Sequence, residues 1–145
     1  MSLSKRYLDR NPNPIDFDPD ALARRFEEEL PEIMFAYLLG SAAGQNRVPP
    51  HSDLDLAVYL SGDSSFELYS KVQDICTAVV GDVRCDMGIL NNAEAVYRFE
   101  ALKGRLLFTR DREAWLTFYS RASREYEHQM FDYEKQRRYR LEARA

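Results

Sequence analysis

Three aspartates carry the chemistry that this chain can do. Asp53 and Asp55 stand two residues apart in the alternating run Asp53-Leu54-Asp55-Leu56-Ala57-Val58-Tyr59-Leu60, whose period of two predicts a strand with leucine and valine on one face. Side chains at i and i+2 of a strand point the same way, so both carboxylates share the opposite face, with Cα atoms about 6.6 Å apart. Asp86 lies in the next β-type run, Val83-Arg84-Cys85-Asp86-Met87-Gly88-Ile89-Leu90. Val83, Cys85, Met87 and Ile89 make the apolar face there. Asp86 turns the other way, in step with Gly88, which leaves room beside it. On neighbouring strands about 4.8 Å apart, the three carboxylates would form one cluster. Such a cluster can hold a pair of divalent cations, which sit roughly 3.5–4 Å apart in two-metal sites. Ahead of the acidic run comes Leu39-Gly40-Ser41. Gly40 removes the side-chain obstacle at a strand end, Ser41 offers a hydroxyl, and the amides of Ser41 to Ala43 would open a helical turn whose N-terminus attracts phosphate. The combination points to metal-assisted chemistry on a nucleoside triphosphate.

The elements that must position these groups read as follows. Residues 1–17 form an extended arm, because Asn11-Pro12-Asn13-Pro14 cannot be helical. Asp18-Pro19 is an N-cap with proline at the first helical position, and the first helix carries Ala21, Leu22, Phe26 and Leu30 up to Pro31. Residues 33–39 are the first strand, residues 45–51 a loop with two prolines, and residues 53–60 the second strand. After the turn 61–65 a helix carries Phe66, Leu68, Tyr69, Val72, Ile75, Cys76 and Val79 at close to helical spacing. Gly81-Asp82 ends it, and residues 83–90 are the third strand. Asn91-Asn92 caps a short helix over 93–102, Lys103-Gly104 turns into a fourth strand over 105–109, and Asp111 caps a long final helix over 111–140. That helix places Trp115, Phe118, Tyr119, Ala122, Tyr126, Met130 and Tyr133 on one stripe. The expected fold is α/β (α+β). A small mixed sheet has helices packed on the leucine face of the second strand and leaves its carboxylate face open to ligand. One domain, residues 18–145, follows the arm.

The order apolar-Gly-Ser, then Asp-apolar-Asp-apolar, then a lone Asp between apolar residues on a later strand resembles the signature of the DNA polymerase β-like nucleotidyltransferase superfamily. The compact layout from Gly40-Ser41-Ala42-Ala43-Gly44 to Ser52-Asp53-Leu54-Asp55 is most similar to its minimal nucleotidyltransferases, the MntA-type antitoxins paired with HEPN-domain toxins. The resemblance runs over residues 33–110. It implies two Mg²⁺ ions and ATP or another NTP as substrate. Asp53 and Asp55 would hold the metal bound to the triphosphate and help bridge to a second metal, and Asp86 would complete that second metal's shell and orient or deprotonate the attacking hydroxyl. Gly40, Ser41 and Ser52 would serve the nucleotide. Members of the group often carry an arginine where this chain has Ala43, and Arg47 is the residue that could substitute for it. His51, a lone loop histidine with no visible partner, and His128, on the last helix, are given no role.

Composition narrows the classes further. Of the 145 residues 45% are hydrophobic and 30% charged, which fits a folded globular chain and not a disordered one. The net charge of −4 disfavours long nucleic acid as the ligand, since proteins that hold many phosphates are usually basic. The basic run 135–140 is well placed at a helix C-terminus. No apolar run approaches the ~20 residues of a membrane helix, and Met1 to Arg6 lead into no apolar signal segment. Cys76 and Cys85 have neither disulfide nor zinc spacing, so a cytoplasmic location is the default expectation. The chain leaves little room for an acceptor-binding domain, so a partner protein is expected to supply the acceptor, in a homo- or hetero-oligomer. By resemblance, the partner is a HEPN toxin and the acceptor its tyrosine, to which AMP is transferred. Two other readings stand beside this one: an antitoxin that works by binding alone, and a nucleotidyltransferase of an aminoglycoside-like small molecule.

Overall fold

Helix α1, Pro19–Glu29, begins where its sequence says. The Asp18 carboxylate accepts the Asp20 N–H at 3.0 Å with Pro19 in the first turn. Its far end is closed by a residue from the other half of the chain: the Arg110 guanidinium donates to the carbonyls of Phe26, Glu27 and Leu30, and also to that of Ile33. These include carbonyls that a helix C-terminus leaves without intrahelical partners. The computed structural model describes residues 11–143. Residues 1–10 of the expected arm and Arg144 and Ala145 lie outside the described residues.

The end of the arm is not merely extended. Ile15–Asp16 is a strand, β1, paired antiparallel with Arg47–Val48, β3, inside the segment expected to be a loop. Ile15 meets Val48, and Asp16 pairs with Arg47 at 2.5 Å. The main sheet contains Ile33–Leu38 (β2), Leu54–Leu60 (β4), Cys85–Ile89 (β5) and Arg105–Thr109 (β6) in the order β5-β4-β2-β6. It is mixed, as expected: β4 and β5 are parallel, and β2 is antiparallel to both β4 and β6. Between β2 and β3 sits the five-residue helix α2, Ser41–Gln45. Helix α3, Phe66–Val79, joins β4 to β5 and is capped by Ser65, which accepts the Leu68 N–H at 3.1 Å. Helix α4 is Ala95–Leu102, and α5 is Arg112–Ala143, capped by Asp111 on the Ala114 N–H at 3.1 Å.

Helices α1 and α3 bury the leucine face, where Leu22, Phe26, Leu68, Val72 and Ile75 pack with Leu54, Leu56 and Val58. The opposite face is not bare. There α4 and the first half of α5 cover Phe35, Tyr37 and Ala57 with Ala101, Phe118 and Ala122. Phe35 stacks on Tyr59, and the Trp115 indole N–H donates to the Tyr37 hydroxyl at 2.6 Å. The cause is visible in β2, whose uninterrupted run Ile-Met-Phe-Ala-Tyr-Leu needs cover on both sides. The carboxylate face is therefore covered over much of its length and opens at the start of β4. The expected Asn91-Asn92 cap is replaced as well. Glu94 is the N-cap of α4. The Asn91 amide acts as an extra strand residue, accepting from the Leu60 N–H at 2.9 Å and donating to the Leu60 carbonyl at 2.8 Å. Both cysteines are free, and among the described residues no helix is long and apolar enough to cross a membrane.

Candidate active site

The parallel pairing of β4 with β5 sets the site. Leu54 N–H donates to the Arg84 carbonyl at 2.8 Å, which starts the ladder one residue before the carboxylates. In the resulting register Asp55 lies directly opposite Asp86, and Ala57 opposite Gly88. Register partners in a sheet point to the same face, so the two carboxylates stand side by side. They line a cleft of about 390 Å³ together with Leu39, Leu56, Gly88 and Tyr97. Burial raises the Asp55 pKa above its ordinary 3.8, and the charges of Asp86 and then Asp53 raise it further. Asp53 sits just ahead of β4 and acts on Asp55 through its charge.

The Gly40 turn is bound to this pair. Leu39 N–H donates to the Asp55 carbonyl at 2.9 Å, fixing the end of β2 against the acidic strand. Gly40 has φ +68, and a Cβ there would stand 3.4 Å from the Asp55 Oδ2. Positive φ favours glycine, and the missing side chain keeps the carboxylate clear. Ser41 follows, exposed, at the start of α2. Of the amides expected to meet phosphate, that of Ala43 is already committed to the Gly40 carbonyl at 3.1 Å.

Tyr97 is the residue that sequence reasoning missed. It reaches across from α4 and lays its ring over Gly88, so closely that a Cβ on Gly88 would fall 1.8 Å from the hydroxyl oxygen. The room beside Asp86 is therefore filled by a phenol. Burial raises the Tyr97 pKa, followed by the negative charges of Asp86 and Asp55. The signal was in the sequence: a glycine in step with an aspartate on a strand, followed by a helix carrying a large side chain.

The loop that leads into Asp53 is tied from outside. Asn11 is almost fully buried; its amide donates to the carbonyls of Pro49, at 3.0 Å, and Ser52, at 3.4 Å, while its own carbonyl accepts the His51 N–H at 2.9 Å. Ser52 is half-buried beside Asp53, and its hydroxyl turns to the Pro50 carbonyl at 3.5 Å. His51 is exposed, in a left-handed turn with φ 58. Arg47 does not join the group: its guanidinium pairs with Asp16 across the small sheet.

The donor set suits a hard divalent cation. It consists of carboxylate oxygens, which Mg²⁺ prefers, and a cation would offset both the burial and the neighbouring charges that raise Asp55. The set is not gathered, however. Among the described residues no group of three or more His, Cys, Asp or Glu is close enough to hold a metal ion.

Comparison with known proteins agrees with this geometry. Solved structures that superpose on the chain include an MntA–HepT toxin–antitoxin complex (16% identity, TM-score 0.59, 81% of this chain and 91% of the other); a toxin–antitoxin complex with AMP-PNP (17%, 0.65, 81% and 94%); and a complex of tri-AMPylated Shewanella oneidensis HEPN toxin with MNT antitoxin (15%, 0.59, 81% and 94%). At these identities the likeness establishes the fold. No curated protein matches the sequence. The family model described as "Polymerase beta, Nucleotidyltransferase" matches residues 21–113, which hold the Gly40 turn and all three aspartates, and the chain belongs to that nucleotidyltransferase family.

Proposed function

We propose that this protein is a Mg²⁺-dependent nucleotidyltransferase that moves AMP from ATP to a hydroxyl, and that the acceptor is a tyrosine of a partner HEPN toxin, which the transfer silences. The observation that carries the reading is the register pairing of Asp55 with Asp86 at an open cleft, against the Gly40 turn. The solved complexes support the choice of nucleotide and partner, since those proteins include one with AMP-PNP and one with an AMPylated HEPN toxin.

Asp53 and Asp55 would hold the cation that carries the triphosphate, and Asp86 would complete the shell of a second. When bound, such ions neutralise the phosphates and stabilise the entering and leaving oxygens of an in-line displacement. Gly40 and Ser41 cradle the phosphates, and Ser52 sets the approach of the nucleotide to Asp53. Asp86 orients the acceptor hydroxyl or takes its proton as the hydroxyl attacks the α-phosphorus. The oxygen–phosphorus bond to the acceptor forms, the α–β bridge bond breaks, and pyrophosphate leaves. Tyr97 closes the side of the cleft beyond Asp86.

One observation favours a second reading, an antitoxin that acts by binding alone. With Ala43 in the turn and Arg47 held by Asp16, neither position supplies a cation to the triphosphate. Incubation of the protein with ATP, Mg²⁺ and its HEPN partner, followed by intact mass measurement of both chains, separates the two. Transfer adds AMP to the toxin, whereas binding alone gives a complex with both masses unchanged.

A further inference from the structure

Among the described residues, half of helix α5 has nothing to pack on. Phe118 and Ala122 are buried against the sheet, and Tyr126 stacks on Phe99 of α4 at 3.8 Å between ring centroids. From residue 127 to residue 143 every side chain is exposed, a free length of about 25 Å at 1.5 Å per residue. The stripe does not stop where the domain stops. At 100° per residue, Met130, Tyr133, Arg137 and Leu141 continue the line of Trp115, Tyr119, Ala122 and Tyr126 within about 100° of arc. Tyr133 is 63% exposed and Leu141 59%. The face that is core in the first half of the helix is bare in the second.

The charges on this free half say what covers it. Its first part is acidic, with Glu127, Asp132 and Glu134; the next part is net basic, with Lys135, Arg137, Arg138 and Arg140 against the single Glu142. A helix with acid before base is complementary to its own reverse. A two-fold contact puts residue i on residue j and j on i, so an antiparallel pair sets acid on base twice. We propose that the free half of α5 pairs antiparallel with the same segment of a second copy of this chain, about a two-fold axis near residues 135 and 136. In that register Met130 meets Leu141 of the other copy and Tyr133 lies under the guanidinium of Arg137, a cation–π contact. Glu134 faces Arg138 on one flank, twice by the two-fold symmetry, and Asp132 and Arg140 set acid and base at matching levels along the axis. A parallel pair would set like charges together, which costs specificity and affinity. The inference does not depend on the transfer reaction.

Charge reversal in two complementary variants tests it. The wild-type chain alone should sediment as a dimer that dissociates on dilution and with added salt. The variant carrying Arg138→Glu and Arg140→Glu should be a monomer at the same concentration. So should the variant carrying Asp132→Arg and Glu134→Arg, and mixing the two should restore the dimer. All four positions are exposed, and circular dichroism should be unchanged. As a second measurement, a Met130→Cys chain mixed with a Leu141→Cys chain should form an interchain disulfide under mild oxidation, and Met130→Cys alone should not. A wild-type monomer at every concentration overturns the proposal and leaves the stripe for a different partner. A dimer indifferent to both charge variants, or a mixture that stays monomeric, overturns it equally.

Discussion

Gly88→Ala is the sharpest probe of how the site is built. The added methyl would lie 1.8 Å from the Tyr97 Oη, 2.7 Å from its Cζ and 3.2 Å from its Cε1. Carbon does not approach an aromatic ring so closely, so the ring must leave its place over β5. Tyr97 belongs to α4, and it packs on the second face of the sheet with Phe35, Tyr37 and Phe118. Moving the ring therefore disturbs that core as well as the cleft. Overpacking of this kind costs about 1–3 kcal/mol, which for a chain of this size lowers Tm by roughly 2–12 °C. Removing the hydroxyl alone, with Tyr97→Phe, leaves the Cζ contact and should rescue little. Tyr97→Ala removes the clash, so the double variant Gly88→Ala/Tyr97→Ala should be less destabilised than the sum of the two single changes. Differential scanning calorimetry of the four chains gives the coupling energy. Two results would refute the reasoning: a Gly88→Ala chain that melts with the wild type, or strictly additive losses. Either would mean that Tyr97 does not rest on Gly88.

Two further predictions follow from the same geometry. Asp55 has its pKa raised in the folded chain, so the folded state holds that proton more tightly than the unfolded state does. Its contribution therefore favours folding below about pH 3.8 and is lost as pH rises through the higher folded value. In EDTA the Asp55→Asn variant should melt above wild type at neutral pH, with the gap closing below about pH 4; a gap independent of pH would contradict the assigned repulsion. Asn11→Ala leaves the Pro49 and Ser52 carbonyls without their donor, at about 1–3 kcal/mol for unsatisfied buried groups. Faster hydrogen exchange at the His51 amide checks this, and unchanged exchange would show that the arm does not hold the loop.

Much of the site is written locally, and much of the fold with it. The Asp-Leu-Asp-Leu alternation fixes which face of β4 the carboxylates take, and helix α3 falls on the span its apolar spacing marks. Asp18-Pro19 and Asp111 start α1 and α5 because capping is decided within three residues of chain. What escaped depends on contacts far apart in sequence. The pairing of Ile15 with Val48 joins two short segments that carry no strand signal of their own. Arg47 could be read as a phosphate ligand because nothing near it in sequence marks Asp16 as its partner. The cover over the second sheet face was foreshadowed by the continuous apolar run of β2, and Tyr97 by the gap at Gly88. The partner of each, however, comes from a helix whose placement local pattern cannot give.

The central claim, nucleotidyl transfer at the three aspartates, is tested most directly with ATP labelled at either the α- or the γ-phosphate, in the presence of Mg²⁺ and the proposed HEPN partner. The α-label should appear on the toxin tyrosine and the γ-label in released pyrophosphate. Both signals should vanish in the Asp53→Asn/Asp55→Asn variant while its melting in EDTA stays at or above wild type. Label on the toxin from the γ-phosphate, or undiminished α-label with the double variant, would contradict the account.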